Sequence, residues 1–359
     1  MRRNSFLKLT MLVLLVGSAF ALDDSPAKSG STSTAHRDWT KHPVVLQVDT
    51  AEDILAVGDA HADPTRLLGV LVEAKIIEGV PKKSSEISWS AGKSVLVVTG
   101  DMIDKWHHSL KVIALLRALQ KDAASKGGQV IVTMGNHEAE FLADPTGKKT
   151  KDFSDELIAA GIKPQDVASC QGSLGKFLCE LPIAARVNDW FFCHAGNTNN
   201  QSIPDLSAAI ESGFKKHGFA TKQLVGDNSL LEARLNDKGP GGLPWFDNGS
   251  SSTDPQKLLA QYAAALGVKH IVQGHQPGSV DFPDGKNRSK EDLFQRYGLL
   301  FLIDGGMSKG IEGSTSTGGA LRISGTSPQT VVATCANGQT MMLWDSSTNP
   351  DLNEIHCGK

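Results

Sequence analysis

The chain has 359 residues, a length that allows one large α/β domain or two smaller domains. Its 36 Lys and Arg residues are balanced by 39 Asp and Glu residues, and the formal net charge is -3. This balance lacks the basic excess that nucleic-acid-binding proteins normally carry, so the sequence shows no nucleic-acid footprint.

The N-terminus has the pattern of a secretory signal peptide. Basic residues precede a short apolar run and a small-residue cleavage site in MRRNSFLKLTMLVLLVGSAFA. The apolar run is shorter than the roughly 20 residues that span a membrane, so an uncleaved anchor is the less favoured alternative. We therefore predict cleavage of residues 1–21, a secreted or periplasmic location, and no membrane attachment afterwards.

Export would place the five cysteines in an oxidising compartment, where disulfides persist. An odd number leaves at least one thiol unpaired, and Cys193 lies in the apolar run WFFCHAG, which is typical of a buried segment. We therefore expect the pairs Cys170–Cys179 and Cys335–Cys357, although the spacing alone does not establish connectivity.

Residues 22–42 are predicted to be a flexible leader, followed by a folded domain over residues 43–334. Two strands come first, in VVLQV and ILAVGDAH, and Asp63 with Pro64 then starts a helix. The strand, loop and helix pattern returns at SVLVVTGDMID, where Ser109 can cap the next helix, and again at GQVIVTMGNHE. Apolar strands that alternate with helices indicate a sheet covered on both faces.

Residues 142–180 interrupt this alternation, and we predict a helical insertion there, with helices near 153–160 and 173–180. Further strands follow in VNDWFFCHAG, VKHIVQGHQPG and LLFLIDGG. Beyond Gly313 the chain has the alternation of short antiparallel strands, and residues 335–359 are predicted to form a C-terminal strand and tail.

Side chains of the types that bind metals follow five predicted strands: Asp59 and His61, Asp101 and Asp104, Asn136 and His137, His194, and His275. The C-terminal ends of strands in an open α/β sheet share one edge, so residues far apart in sequence can converge there. Each motif alone is weak, because Gly-Asp pairs are ordinary turn residues. Together, carboxylate, amide and imidazole donors without a thiolate suit Mn, Fe or Zn.

The chain carries, in order, the motifs GDAH, GDMIDK, GNHE, HAG and GHQP. These motifs resemble those of the calcineurin-like metallophosphoesterases, and within them the phosphoprotein phosphatase type. The segments GPGGLPWFD and FLIDGGMSKG are similar to those of the bacterial-type, Shewanella-like branch. The resemblance implies an α/β fold, a four-layer α/β/β/α sandwich of mixed sheets with the active site at the C-terminal strand ends.

The resemblance also implies two divalent cations, with Mn favoured and Fe or Zn as alternatives. One cation is assigned to Asp59, His61 and Asp101, and the other to Asp101 as a bridge together with Asn136, His194 and His275. Two cations that share a carboxylate can hold a phosphoryl group and lower the pKa of a water molecule for attack on phosphorus.

The resemblance further implies that His137 is the general acid that protonates the leaving oxygen, and that Asp104 orients the His137 ring. The alternative for Asp104 is an ordinary turn or helix-start acid. Substrate binding is assigned to Lys105 and Asn136. Lys105 stands where the family has an Arg, and Asp247 replaces a second expected Arg, so we expect weaker phosphate binding than in the family.

The predicted function is that of a secreted dinuclear-metal phosphatase acting on phosphoproteins or small phosphomonoesters. We expect a monomer with a phosphorylated substrate and no nucleic-acid partner. One alternative is a phosphodiester or nucleotide hydrolase of the same fold, because a diester carries less charge and depends less on Arg. The other is a weakly active or inactive metal-binding protein on a phosphatase scaffold.

Overall fold

A computed structural model describes residues 37–235 and 254–358 of the chain. The predicted signal peptide, residues 22–36 of the predicted leader, and Asp247 lie outside the described residues. Every helix in the described ranges is too short or too polar to cross a membrane.

The strands, in chain order, are β1 Val45–Val48, β2 Ile54–Val57, β3 Val95–Val98, β4 Gln129–Val132, β5 Ala184–Val187, β6 Trp190–Cys193, β7 His270–Gln273, β8 Asp292–Arg296, β9 Leu300–Leu302, β10 Gly319–Ile323, β11 Thr330–Cys335, β12 Thr340–Asp345 and β13 Leu352–His356. The helices are α1 Pro64–Glu73, α2 Ser109–Ser125, α3 Asn136–Ala143, α4 Lys151–Ala159, α5 Pro164–Ala168, α6 Gly172–Glu180, α7 Ile203–His217, α8 Lys222–Val225 and α9 Pro255–Leu266.

The strands form two mixed sheets. The first sheet has the order β1-β5-β6-β7-β9-β8-β13, and the second has the order β12-β11-β10-β2-β3-β4. In the second sheet β2, β3 and β4 run parallel, and in the first sheet β6, β7 and β9 do so. All five predicted motifs therefore follow strands of these two parallel sets, namely β2, β3, β4, β6 and β7.

One face of each sheet packs against the other sheet. Ala56 and Val97 from the second sheet share a buried cluster with Phe192 and Phe301 from the first sheet. Neighbouring residues on the same strands, such as Leu96, point to the opposite face and join the cluster that includes the helices, because strand side chains alternate between faces. This arrangement confirms the predicted sandwich of sheets and helices.

The starts of the first two helices differ in how they are capped. Asp63 caps α1 as predicted, because its carboxylate accepts a hydrogen bond from Arg66 N at 3.1 Å. Ser109, predicted as a cap, is instead the first residue of α2. The carboxylate of Glu156, on α4, accepts hydrogen bonds from Ser109 N at 2.7 Å and Leu110 N at 3.1 Å. The side chain of Glu156, distant in sequence, therefore caps α2 in place of Ser109.

The predicted insertion contains α4, α5 and α6, of which the short α5 was not predicted. Both predicted disulfides are confirmed: Cys170–Cys179 lies within the insertion, and Cys335–Cys357 links the end of β11 to the residue after β13. Cys193 is buried and unpaired, as expected. The segment predicted as a C-terminal strand and tail contains β12 and β13, one in each sheet.

The last residues of the predicted leader are packed against the domain. Arg37 is buried and donates hydrogen bonds to the backbone oxygens of Cys179 at 2.8 Å and His42 at 2.9 Å. The packed domain therefore includes residues before Pro43, because a guanidinium with five donors can satisfy several carbonyl oxygens at once.

Candidate metal and active site

The six predicted metal ligands come together where the carboxyl ends of the two sets of parallel strands meet. Asp59, Asp101 and Asn136 follow β2, β3 and β4 of the second sheet, whereas His194 and His275 follow β6 and β7 of the first sheet. His61 lies two residues beyond Asp59. All six are buried. The site thus depends on both sheets.

Hydrogen bonds join the two sheets at this point. Asp59 accepts from His275 N at 3.0 Å, and the backbone oxygen of Thr99 accepts from His194 Nδ1 at 2.7 Å. Two motif glycines make this approach possible: a Cβ on Gly274 would lie 2.2 Å from Asp59 Oδ1, and one on Gly135 would lie 2.1 Å from Asp101 Oδ1. Only glycine can occupy such positions.

The backbone around the site is strained. Five non-glycine residues of the motifs have positive φ angles: His61 at 35°, Asp101 at 48°, Asp104 at 62°, Lys105 at 64° and His275 at 66°. Such conformations are uncommon for residues with a side chain and collect where surrounding structure holds functional groups in place. The strain is therefore consistent with side chains aimed at one point.

The histidines are oriented so that one ring nitrogen of each is free to bind a metal. His61 Nδ1 faces the backbone oxygen of Ile103 at 3.2 Å, which leaves Nε2 with a lone pair. His194 likewise donates from Nδ1, whereas His275 Nε2 faces the backbone oxygen of Glu232 at 3.0 Å, which leaves His275 Nδ1 with the lone pair. Metal-binding histidines are typically fixed in this way by the opposite nitrogen.

Asp101 belongs to two groups of potential ligands. One group contains His61, Asp101 and His137, and the other contains Asp101, His194 and His275; within each group the ligand atoms lie within 4.8 Å of one another. Asp101 Oδ2 is 3.4 Å from His61 Nε2 and 3.3 Å from His194 Nε2. A carboxylate shared by two donor groups fits a bridging ligand.

Asp59 and Asn136 complete the set. Asn136 Oδ1 lies 2.9 Å from His194 Nε2, so its amide oxygen points to the same place as the second group. Asp59 is in neither of the two groups but contacts the His275 backbone beside them. Oxygen and nitrogen donors in these numbers fit divalent transition metals.

The charges of the site favour a cation. Burial alone would lower the pKa of His194, but the carboxylates of Asp101 and Asp59 outweigh it and raise that pKa to about 10. Burial lowers the pKa of His61 to about 4 and that of His275 well below its ordinary value. The carboxylates thus favour a positive charge at the centre of the site, and burial favours the neutral rings of His61 and His275 that metal binding requires.

His137 and Asp104 form a separate pair beside these ligands. His137 Nδ1 lies 3.2 Å from Asp104 Oδ2, and Asp104 Oδ1 accepts from Phe153 N at 2.9 Å. Burial tends to lower the pKa of His137, but the carboxylates of Asp101 and Asp104 hold it above its ordinary value. Burial raises the pKa of Asp104. The predicted contact between the two side chains is therefore present.

Lys105 follows Asp104 and is exposed. Its charge opposes protonation of both His61 and His137, so Lys105 lies close enough to act on these rings electrostatically. Gly310 packs closely on the Lys105 backbone, because a Cβ on Gly310 would lie 1.9 Å from the Lys105 oxygen. The loop that contains Gly310 therefore packs against the backbone of Lys105, the residue assigned to phosphate binding.

Glu138 has a role that the sequence reasoning missed. Its buried carboxylate accepts hydrogen bonds from four backbone N–H groups, those of Gly135, Asp101, Met102 and Ile103, at 2.8–3.2 Å. Burial and the nearby Asp101 raise the pKa of Glu138 to about 7. Glu138 joins the loops after β3 and β4, and its place as the last letter of GNHE was the available signal.

Glu232 and Arg234 were also missed. The Glu232 carboxylate accepts from Asn136 Nδ2 at 3.4 Å, and its backbone oxygen contacts His275. Burial and a hydrogen bond with Glu140 raise the pKa of Glu232 to about 7. The charge of Arg234 helps to lower the pKa of His275, so a cation lies near that ligand. No motif marks this segment, and only the fold reveals its position.

Arg288 is a further residue without a sequence signal. It is fully buried and donates to the backbone oxygens of Asp292 at 2.8 Å and Asp304 at 2.7 Å, and also to that of Gln276. These bonds connect the loop that follows β7 to the loop that follows β9. Arg288 therefore fixes the loop that carries His275 relative to the loop after β9.

Comparison with known proteins agrees with this geometry. The sequence model of the calcineurin-like phosphoesterase family matches residues 53–279. Shewanella-like protein phosphatase 2 of Arabidopsis thaliana is 33% identical over 324 residues, which cover 76% of each chain. An uncharacterized protein of Schizosaccharomyces pombe is 35% identical over 321 residues, covering 81% of this chain and 82% of the relative.

Solved structures show the same fold. The cold-active protein-tyrosine phosphatase of a psychrophilic Shewanella species matches with a TM-score of 0.60 at 18% sequence identity. The match covers 86% of this chain and 85% of that chain. At this identity the likeness concerns the fold alone.

Proposed function

Because this chain belongs to the calcineurin-like phosphoesterase family, and is thus a metal-dependent phosphoester hydrolase, we propose that it is a secreted or periplasmic phosphatase acting on phosphate monoesters. Phosphoproteins are the proposed substrates, since relatives are named as protein phosphatases. The observation that carries the proposal is Asp101, which lies within ligand distance of two donor groups beside the His137–Asp104 pair.

The proposed ligands of one divalent cation are Asp59, His61 and Asp101, and those of the other are Asp101, Asn136, His194 and His275. When bound, the two cations would activate a water molecule and stabilise the charge on the phosphoryl group. The ring orientations support this assignment, because Nδ1 of His61 and His194 and Nε2 of His275 each face a backbone oxygen, which leaves the other nitrogen of each ring for a cation.

His137 is the proposed general acid. Its Nδ1 faces Asp104, so Nε2 is the atom that would donate a proton to the leaving oxygen. The carboxylates of Asp101 and Asp104 raise the pKa of His137 and so favour the protonated ring, which this role needs. Asp104 is in turn fixed by the Phe153 amide. His137 acts on the substrate, and Asp104 acts only through His137.

Lys105 and Asn136 are the proposed contacts to the substrate phosphate. Lys105 is exposed next to Asp104 and supplies one flexible charge. Since Arg would offer a bidentate contact, the affinity for a phosphate dianion is expected to be modest. This feature also favours the second candidate, a phosphodiesterase, because a diester carries less charge.

The disulfides support export. Structural disulfides persist in oxidising compartments and are rare in the reducing cytosol. Together with the signal-like N-terminus, they are the basis for the proposed periplasmic or extracellular location.

The test uses the purified chain with Mn²⁺, assayed on a chromogenic phosphomonoester, a chromogenic phosphodiester and a phosphopeptide. We expect hydrolysis that is lost on chelation, and a fall of about 10²–10⁴-fold in kcat for His137→Ala. Lys105→Arg should raise kcat/KM for the monoester about tenfold and change the diester less. Preference for the diester would favour the second candidate. If none of the three substrates is cleaved in a metal-dependent manner, the proposed enzymatic activity is rejected.

A further inference from the structure

A surface groove lies on the helical insertion, whose helix α4 also contacts Asp104 of the proposed active site. It has a volume of about 580 Å³ and is bounded by the turn Lys148–Thr150, by α4 and by the start of α5. Nothing in the proposed reaction uses this groove. Its lining nevertheless combines apolar side chains with several lysines.

The floor of the groove is apolar. It includes Ile158, Ile162, Pro145 and Pro164. Ile158 is 63% exposed, and within the described ranges it is one of few large apolar side chains exposed to this degree. A single exposed apolar residue is ordinary, but one that stands in a concave surface beside three other apolar side chains marks a place where a partner can bind.

The rim of the groove is positively charged. Lys148, Lys151 and Lys163 line it, against the single acid Asp155, which pairs with Lys151. Lys148 and Lys163 are exposed and form no ion pair with any other described residue. A positive rim on a chain of net charge -3 complements a ligand that carries acidic groups.

The elements that form the groove also contact the site. Phe153, on α4, donates its N–H to Asp104 at 2.9 Å. Lys149, next to Lys148, lies 3.8 Å from Glu232, whose carboxylate accepts from Asn136. The groove and the site are thus linked through α4 and the turn Lys148–Thr150.

We propose that this groove binds a segment of the phosphoprotein substrate that contains acidic residues beside an apolar side chain. The proposal rests on the proposed function. The apolar residue packs on Ile158, and the acids pair with Lys148 and Lys163. The groove thereby selects among phosphoproteins, because the proposed phosphate contacts, Lys105 and Asn136, do not distinguish the residues that flank the phosphate.

The test compares two phosphopeptides that share the phosphorylated residue. One is flanked by acids and a leucine, and the other has lysines in place of the acids. The double variant Lys148→Glu/Lys163→Glu should raise KM for the acidic peptide roughly tenfold and lower it for the basic peptide. Turnover of a small chromogenic monoester should stay within about twofold, because the groove does not contact so small a substrate.

A matched control reverses the charge of two exposed lysines outside the groove, Lys121→Glu/Lys215→Glu, which gives the same net charge. We expect this control to leave the preference between the two peptides unchanged. Ile158→Ser should weaken binding of the leucine-containing peptide several-fold, and should have no effect when the leucine is replaced by serine. Equal effects of the two double variants would overturn the proposal.

Binding of the unphosphorylated peptides, followed by fluorescence anisotropy, tests the groove without catalysis. If the acidic peptide binds the parent protein and not Lys148→Glu/Lys163→Glu, peptide binding by the groove is supported even when no ester is hydrolysed. Failure of the groove proposal can therefore be distinguished from failure of the proposed function. Concentration-dependent dimers that disappear in this variant would instead show that a second copy occupies the groove, and would overturn the proposal.

Discussion

Both carboxylate oxygens of Asp104 have partners: Oδ2 faces His137, and Oδ1 accepts from Phe153 N. Asp104→Asn keeps the shape but removes the charge that raises the pKa of His137. The pKa of His137 should fall, so the protonated acid is lost at a lower pH. We expect the alkaline limb of the kcat/KM profile to move down by about one pH unit.

The measurement is a pH profile of monoester hydrolysis with Mn²⁺ for both proteins. Asp152→Asn is the control. Asp152 is exposed on α4, next to Phe153, and has only a weak effect on the pKa of Asp104. An alkaline limb at the same pH in Asp104→Asn and in the parent would show that Asp104 does not tune His137.

His270 makes stability depend on pH. It is buried, stacks on Trp190 with ring centroids 3.9 Å apart, and faces the Gly298 oxygen with Nδ1. Burial lowers its pKa to about 4 from the ordinary 6.5. Between these values the unfolded chain binds a proton that the folded chain does not, so the folded state loses stability as the pH falls from about 6.5 to about 4.

The full loss attributable to His270 is about 3 kcal/mol, and nothing is lost above pH 6.5. His270→Gln retains a donor for Gly298 but does not titrate, so its free energy of unfolding should decline less steeply over this range. Urea denaturation at several pH values measures the difference. His217→Gln, at an exposed histidine, should behave as the parent; the same slope in His270→Gln would contradict the assignment.

At the scale of elements, α4 supports the loop between β3 and α2. Glu156 accepts from the first two N–H groups of α2, where a negative charge is also favoured by the helix dipole. The loop that carries Asp104 and Lys105 ends at this point. We therefore predict that Glu156 positions the loop proposed to bind phosphate, although it contacts no reacting group.

Glu156→Ala should lower the free energy of unfolding by about 2 kcal/mol, because it removes a charged cap. It should raise KM for a phosphomonoester more than it lowers kcat, since Lys105 is displaced while the metal ligands remain. Glu156→Gln should recover part of both losses. Asp166→Asn, at an exposed acid of α5, is the control, and an unchanged KM in Glu156→Ala would contradict the positioning role.

The caps of α1 and α2 show how much of the structure the sequence could predict. The cap at Asp63 was predictable because its partner is three residues away. The cap of α2 was not, since Glu156 lies 47 residues beyond Ser109 and no local pattern links them. Similarly, the motifs indicated the residues of the site through the order of strands, whereas Glu232 and Arg288 reach it from segments without a motif.

At the scale of the whole molecule, the site exists only where the two sheets meet. Asp101 comes from the second sheet and His194 from the first, and the interface between the sheets fixes their separation. Any change that loosens the packing of the sheets should therefore displace the proposed metal ligands. The sequence predicted a sandwich, but the contacts between its sheets depend on packing that no single segment encodes.

The disulfide Cys335–Cys357 is a covalent link between the sheets. It joins the last residue of β11 to the residue after β13 and closes a loop with a sequence separation of 22. Replacing both cysteines by serine should lower the free energy of unfolding by about 3 kcal/mol, because the unfolded chain regains the freedom of that loop.

Urea denaturation of the oxidised protein, followed in parallel by intrinsic fluorescence and metal-dependent activity, measures this loss. Both signals should shift together in Cys335→Ser/Cys357→Ser, because the sheets that form the core also form the site. Cys170→Ser/Cys179→Ser is the matched control: its loop has a separation of 9 and lies within the insertion, so a smaller shift is expected. Activity that persists in Cys335→Ser/Cys357→Ser after the fluorescence transition would show that the site does not require the two sheets to stay together.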